Sequence, residues 1–213
     1  DQVLVYNIVD GAQALSSDGT VAKQVMAYKS SLILLNVTES GTNSPQKVMW
    51  SQTGTIDQFN ASTTNAGFQF LYDSPGEIRC GAMMGDSIAV YKSDSIVTMS
   101  YTGSTDLFRF DVTVPKNGII SRGALAVVDG RHYFVSHDNI YVWGGSSYPV
   151  PIGDPVWQTI SDNMNWDYVE AIRIVPDKLR RLLWFFIPTG TSRYPTTCYS
   201  YDYSARVWSQ HAF

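Results

Sequence analysis

Three histidines, His132, His137 and His211, are the side chains best suited to hold a metal or move a proton near neutral pH. His132 and His137 stand five positions apart across an expected hairpin, which would bring them near one another. A metal site needs a third and usually a fourth ligand. Asp138 is adjacent in sequence, but neighbours on a strand face opposite sides. No metal and no cofactor is expected. Six aspartates, Asp57, Asp86, Asp94, Asp111, Asp138 and Asp202, fall near expected strand ends. A converging pair could run glycoside hydrolysis. In turns, however, aspartate accepts hydrogen bonds from nearby backbone N–H groups, and that use fits these positions.

Nucleophile motifs are missing. No Gly-x-Ser-x-Gly turn occurs, and Gly144-Gly145-Ser146-Ser147 follows a strand with no helix behind it. Neither a nucleophile elbow nor a phosphate loop fits that context. Gly118 and Gly123 flank Ile119, Ile120, Ser121 and Arg122 but lack the Gly-Lys pair of a phosphate loop. The stretch Ser16-Ser17-Asp18-Gly19-Thr20 resembles the Ser-x-Asp-x-Gly turn of sialidase-type propellers, yet occurs once and without the expected tryptophan. Cys80 and Cys198 each fall in an expected strand and read as buried thiols acting as small apolar residues. A disulfide between them would be one link, not a framework. Asn36-Val37-Thr38 and Asn60-Ala61-Ser62 match the glycosylation sequon and read as loop chemistry. No catalytic, cofactor-binding or metal-ligating residue is assigned, and the chain is expected not to be an enzyme.

The elements that would carry these residues are strands. Four of them follow from Ile78: residues 78–83, 87–91, 95–101 and 107–112, joined by tight polar turns at Gly85-Asp86 and Ser93-Asp94. That is an antiparallel meander. The plan repeats in residues 124–128, 132–135 and 140–143 with a short strand near Tyr148-Pro149-Val150, and Asp129-Gly130 is the strongest hairpin signal of the chain. Asp94-Ser95-Ile96 corresponds to Asp138-Asn139-Ile140 at an offset of 44 residues. A third unit begins near Tyr168 with 169–174 and continues through 182–186, 197–201 and 206–208. An earlier one is built from 21–28, 32–37, 47–50 and 67–72 with longer loops. Similar units at that period mean blades, placed at about 20–73, 77–113, 122–151 and 168–210. The fold class is all-β, a β-propeller of four-stranded antiparallel blades, with residues 1–213 as a single propeller region of about four blades, part of a larger ring.

One short helix interrupts the strands near 155–164. Asp154 is placed as its N-cap and Pro155 at its first position, with Trp157, Ile160 and Met164 as an apolar stripe over the edge between two blades. Residues 3–7 read as an extra strand ahead of the first blade. Loops are expected at 38–45, 52–65 and 188–195. Trp184, Phe185, Tyr133, Phe134 and Trp143 are expected between blades.

Composition agrees. Aromatics make up 13% of the 213 residues and charged residues 16%, which favours pleated, half-buried surfaces over solvated helices. The net charge of -4 and the lack of any basic run argue against a surface that grips nucleic acid. No apolar run approaches the ~20 residues of a membrane span. The first residues already look like a strand and carry no signal-peptide pattern or initiator Met, so the chain reads as a processed or excised piece of a longer protein.

Several phrases resemble one family taken together. Trp50-Ser51-Gln52-Thr53-Gly54-Thr55-Ile56-Asp57-Gln58-Phe59 is one, and Gly85-Asp86-Ser87-Ile88-Ala89-Val90-Tyr91-Lys92 with Ser95-Ile96 and Tyr101-Thr102-Gly103 is another. Gly118-Ile119-Ile120-Ser121, Asp129-Gly130-Arg131-His132-Tyr133-Phe134, Asp138-Asn139-Ile140-Tyr141-Val142 and Pro151-Ile152-Gly153 follow, and an Asp-Lys turn, Leu183-Trp184-Phe185, Tyr199-Ser200-Tyr201 and Arg206-Val207-Trp208-Ser209 close the set. Their order, from about 20 to 210, resembles the propeller tail hub or nozzle proteins of short-tailed phages. Members of that family are longer, with further blades. The resemblance implies a virion protein of the phage tail that self-associates into a ring and lines or extends the DNA ejection channel. Its implied partners are a portal or adaptor, tail fibres or a needle, with DNA passing transiently and without specificity. A mildly acidic surface without a basic stripe would let DNA slide past. The alternatives are a carbohydrate-binding propeller, which would show matching aromatic and polar loop sites in every blade, and a glycosidase-like enzyme with carboxylates converging on a channel.

Overall fold

Alternating β-branched and aromatic residues, punctuated by two-residue turns, leave this chain little choice but strands. A computed structural model of the protein describes residues 4–7, 11–14, 20–146 and 148–212. It is all-β, with four four-stranded antiparallel sheets, each a meander of consecutive strands, and a separate strand pair. The pair joins β1 (Leu4–Asn7) to β2 (Gly11–Ala14), so the strand expected ahead of the first blade is present. The Ser-x-Asp-x-Gly stretch at 16–20 lies, but for Thr20, outside the described residues. The chain divides into two compact units, Asp1–Pro115 and Lys116–Phe213.

The first unit holds two blades. Blade 1 contains β3 (Val21–Tyr28), β4 (Ser31–Glu39), β5 (Thr42–Trp50) and β6 (Gly67–Phe70). Blade 2 contains β7 (Ile78–Met84), β8 (Ser87–Lys92), β9 (Ile96–Tyr101) and β10 (Phe108–Val114). The loop expected at 38–45 is instead a tight hairpin: Ser40 and Gly41 both have positive φ, and Glu39 pairs directly with Thr42. Pro45, which has no N–H to give a central strand, is accommodated by a bulge at Asn36 (φ 56), where the register shifts between Leu35 and Val37. The 52–65 loop holds as expected.

Apolar faces of the two blades share one core that includes Ile33, Leu35, Val48, Ile88, Val90 and Met99. Polar side chains then tie blade 1 to the backbone of blade 2. The Gln24 amide both donates to Gly81 O (2.9 Å) and accepts from Gly81 N (2.8 Å), satisfying the open edge of β7. Tyr28 donates to Asp86 O (2.7 Å) and accepts from Tyr101 N (3.1 Å), and Asn36 donates to Ile78 O (2.8 Å). Gly76 shapes the link between the blades: its φ is +90°, and a Cβ there would lie 2.8 Å from Asp94 N and 2.3 Å from Ser93 Oγ. Gly76→Ala is expected to cost about 2 kcal/mol, from left-handed backbone strain and a clash the turn cannot relieve, read as a lower urea midpoint at unchanged m-value.

The second unit holds blades 3 and 4. Blade 3 contains β11 (Leu125–Val128), β12 (Arg131–Val135), β13 (Ile140–Trp143) and β14 (Val150–Pro151). Asp129 (φ 50) and Gly130 (φ 72) form the expected two-residue turn between Val128 and Arg131. Blade 4 contains β15 (Arg173–Asp177), β16 (Leu182–Pro188), β17 (Pro195–Asp202) and β18 (Val207–Ala212).

Two boundaries differ from expectation. The helix, α1, is shorter, Trp157–Asn163, and its N-cap is Val156 with no side-chain cap bond. Asp154 does not cap it, because its Oδ1 accepts from Asn139 Nδ2 at 2.6 Å in the neighbouring turn. Ile160 and Met164 of the expected stripe are buried, while Trp157 is half-buried. The strand expected from Val169 begins only at Arg173, since residues Trp166–Ala171 form a 3-10 helix. Asn165 starts that helix by accepting from Asp167 N at 3.2 Å.

Of the aromatics expected between blades, Tyr133, Phe134, Trp143 and Phe185 are buried. Trp184 is only half-buried and lies 5.1 Å from the His211 ring. As neighbours on β16, Trp184 and Phe185 must face opposite sides.

Candidate functional site

The histidines lie apart, each against its own tryptophan ring. His132 is fully buried on β12, its ring 6.3 Å from Trp143, whereas His137 is exposed beyond the end of that strand and stacks on Trp166 at 6.2 Å. His132 packs on Trp143 within the sheet and His137 on Trp166 beyond its end, so the shared site expected from a hairpin is not realised. Among the described residues no group of three or more His, Cys, Asp or Glu gathers as metal ligands would. His211 shares a 2.8 Å hydrogen bond with Ser200 Oγ, but among the described residues no carboxylate bonds to that histidine in turn. A serine–histidine pair without an orienting acid, on a serine that is 5% exposed, does not make an acyl-transfer site.

Five of the six aspartates hold turns, ion pairs or neighbouring side chains. Asp202 accepts from Ser204 N and Ala205 N, both at 2.8 Å, and these backbone donors pull its carboxyl below the usual carboxylate range. Asp86 pairs with Lys29 (2.6 Å), Asp111 takes two bonds from Arg109 (2.7 and 2.9 Å), and Asp94 accepts from Ser93 Oγ (2.6 Å). Asp138 accepts from Tyr141 OH (2.7 Å) and Asn117 Nδ2 (2.9 Å), so burial and that bond push the Tyr141 phenol well up. Asp57 is exposed in the 52–65 loop. Cys80 and Cys198 are free and buried, and burial raises the Cys198 thiol, away from the nucleophilic thiolate.

What the fold does build is a cleft between neighbouring blades within each unit. In the first unit it has a volume of about 740 Å³ and an aromatic floor of Trp50, Phe68, Phe108 and Phe110, with Asp106 and Arg109 on its polar side. The Trp50 indole is held edge-on to Phe108 (5.3 Å, 78°) and donates to Asn65 O (3.2 Å). Gly67 lets that indole lie against the strand, since a Cβ would sit 2.7 Å from it. Hydroxyls on the far wall are used locally: Thr102 donates to Asp106 O and bonds Ser104 Oγ (2.9 Å). Such a surface offers ring faces and amide or carboxylate edges for binding.

The second unit's cleft, about 360 Å³, is lined by Tyr133, Tyr201, Tyr203 and Trp208 with two arginines, Arg131 and Arg206. Trp208 is fixed by a 2.7 Å bond from its Nε1 to Ile152 O and by the Tyr201 ring 4.8 Å away. Burial raises the phenols of Tyr133 and Tyr201, which keeps both neutral. Neither cleft was assigned from the sequence. Gly67 against Trp50 and the glycine-free Arg206 turn are the local signals, but partners such as Arg131 and Arg206 meet only once blades stack.

No family model matches the chain, and no curated protein matches it. Among solved structures, a Bacteroides fragilis protein described as a candidate exported protein aligns with 100% of this chain and 75% of its own. The identity is 12% and the TM-score 0.37, a likeness that carries no argument about what this chain does.

Proposed function

We propose that the chain is a structural component of a phage tail, of the nozzle or hub type, and not an enzyme. Its blades set the shape of an assembly around the DNA ejection channel and present surfaces for a neighbouring copy, a portal or adaptor, and fibres or a needle. The observation that supports this most is the use made of the phrase at 50–59, the first of those that resemble the tail family. Ser51 is fully buried, accepts from Leu32 N (2.8 Å) and donates to Thr55 O (2.6 Å), while its own N donates to Leu32 O (2.9 Å). Gln52 N reaches Gln58 O (2.7 Å) and Gly54 N reaches Ser30 O (2.7 Å). Ser51, Gln52 and Gly54 of that phrase thus brace a turn on blade 1.

Antibody against this chain, applied to purified phage particles and viewed by electron microscopy, is expected to decorate the tail below the portal. The recombinant chain is expected to leave reporter glycosides intact. Particles that remain undecorated while the same antibody finds the protein elsewhere, or steady release of a reporter sugar, would overturn the reading.

A further inference from the structure

The cleft of the second unit differs from that of the first in charge. Arg131 and Arg206 both line it and both are exposed. Among the described residues neither forms an ion pair, whereas Arg109 beside the first cleft is tied to Asp111 at 2.7 Å. Arg131 opens β12 immediately after the Asp129-Gly130 turn, so its position is set by the shortest hairpin of the blade. Arg206 is held in place at a cost. Its φ is 61°, where glycine is the natural occupant, and its N donates to Asp202 O (2.7 Å) to close the turn before β18. Lys29 (φ 47) and Arg181 (φ 58) take the same backbone in other turns, so what distinguishes Arg206 is that it lines the cavity.

The remaining wall says how an occupant would be read. Val150, Pro151 and Pro155 are exposed and apolar, and the prolines have no N–H. Ile152 N is already given to Ile140 O (2.8 Å), and Ile152 O to the Trp208 indole (2.7 Å). On the β14 side an extended peptide would find few free backbone groups with which to add a strand. Recognition falls to side chains: half-buried Tyr203 and Trp208 supply ring faces, and the two guanidiniums supply paired donors of carboxylate geometry. A pyranose offers an apolar C–H face for the first and, when it is a uronic acid, a carboxylate for the second. The volume of about 360 Å³ suits one or two sugar rings.

We propose that this cleft is a binding site for acidic saccharides, in which Tyr203 and Trp208 pack against a sugar ring while Arg131 and Arg206 hold its carboxylate. The site goes beyond the scaffold role and does not depend on it.

The test is titration of the full 213-residue chain with sodium glucuronate, methyl glucoside and sodium acetate, followed by tryptophan fluorescence and by the tyrosine and indole resonances in NMR. Saturable glucuronate binding is expected, at least roughly 10-fold tighter than that of either the neutral sugar or acetate, because each supplies only half of the contacts. Arg206→Gly is the discriminating variant, since glycine suits the backbone there and the fold is retained. It is expected to keep or raise Tm while weakening glucuronate by roughly 10-fold, and Arg131→Gln to weaken it similarly. No saturation up to about 100 mM, equal binding of acetate and glucuronate, or full affinity in both variants would overturn the proposal. So would tighter binding of a short glutamate-rich peptide at the same resonances, which would make the site a peptide acceptor.

Discussion

Lys92→Met is expected to destabilise the first unit by about 3 kcal/mol, because the lysine is a buried brace and not a surface charge. Lys92 closes β8 and is fully buried. Its ammonium donates to Leu71 O (2.6 Å), Ser74 O, Ser74 Oγ (3.1 Å) and Gln46 Oε1 (2.8 Å), stitching the end of blade 2 to the segment that arrives from blade 1. Methionine fills the same volume but leaves two buried carbonyls without a donor, each a loss of roughly 1–3 kcal/mol, partly offset by removing a desolvated charge. The pH dependence separates these terms. Burial lowers the Lys92 ammonium to about 8, against the opposing pull of the Asp94 and Asp73 charges. Between about pH 8 and the unfolded lysine value near 10.4 the unfolded chain binds more protons than the folded one, so this residue's contribution rises with pH. Below about 8 it is charged in both states and the burial cost is fully present. Urea melts of wild type and Lys92→Met from pH 7 to 9.5 should therefore diverge, by at most about 1.4 kcal/mol per pH unit. Parallel curves would show that the lysine stays charged throughout. Above about pH 10 the raised phenols of Tyr28 and Tyr91 take over with the opposite sign, as the unfolded tyrosines lose protons first.

Nothing in the sequence announces that brace. Lys92 follows the apolar run Ile88-Ala89-Val90-Tyr91 and precedes the Ser93-Asp94 turn, where a lysine ordinarily reaches water. Strand alternation and the Asp129-Gly130 turn were legible because they are local, and all four sheets came out where those signals put them. The hairpin at 38–45 was not legible as one, because Asn43, Ser44 and Pro45 are loop-forming residues by type. They can sit in β5 only because Asn36 accepts a left-handed backbone and its side chain bonds both Ile78 O and Asn43 Nδ2. The 3-10 helix at Trp166–Ala171 hid for a similar reason: Val169-Glu170-Ala171 alternates like a strand, and one Asn165 cap decides otherwise. The clefts as wholes were out of reach beyond such local hints, since Arg131 and Arg206 lie 75 residues apart and share a cavity only through the stacking of blades 3 and 4.

The second large effect is expected at Phe185. Its ring is fully buried on the central strand β16, between Ile174 of β15 and Tyr199 of β17 in register, and 4.9 Å from the Trp208 ring. Phe185→Ala removes that ring from a position that cannot refill without moving three strands, and should cost roughly 3–5 kcal/mol. Phe185→Leu keeps most of the volume and should cost less than about 2 kcal/mol. Trp184→Ala, one residue away, is expected to cost less than Phe185→Ala even though tryptophan is larger, because its ring faces the other side, half-exposed beside His211. Five of the six tryptophans lie between 116 and 213, so fluorescence during urea unfolding reads the second unit directly. If Trp184→Ala proved as damaging as Phe185→Ala, the side of β16 that carries the core would be wrongly assigned. The cleft shares that dependence. The Trp208 ring lies 4.9 Å from that of Phe185 and lines the Arg131–Arg206 cavity as well, so Phe185→Ala should also blunt any fluorescence response to glucuronate, whereas Trp184→Ala should leave it intact.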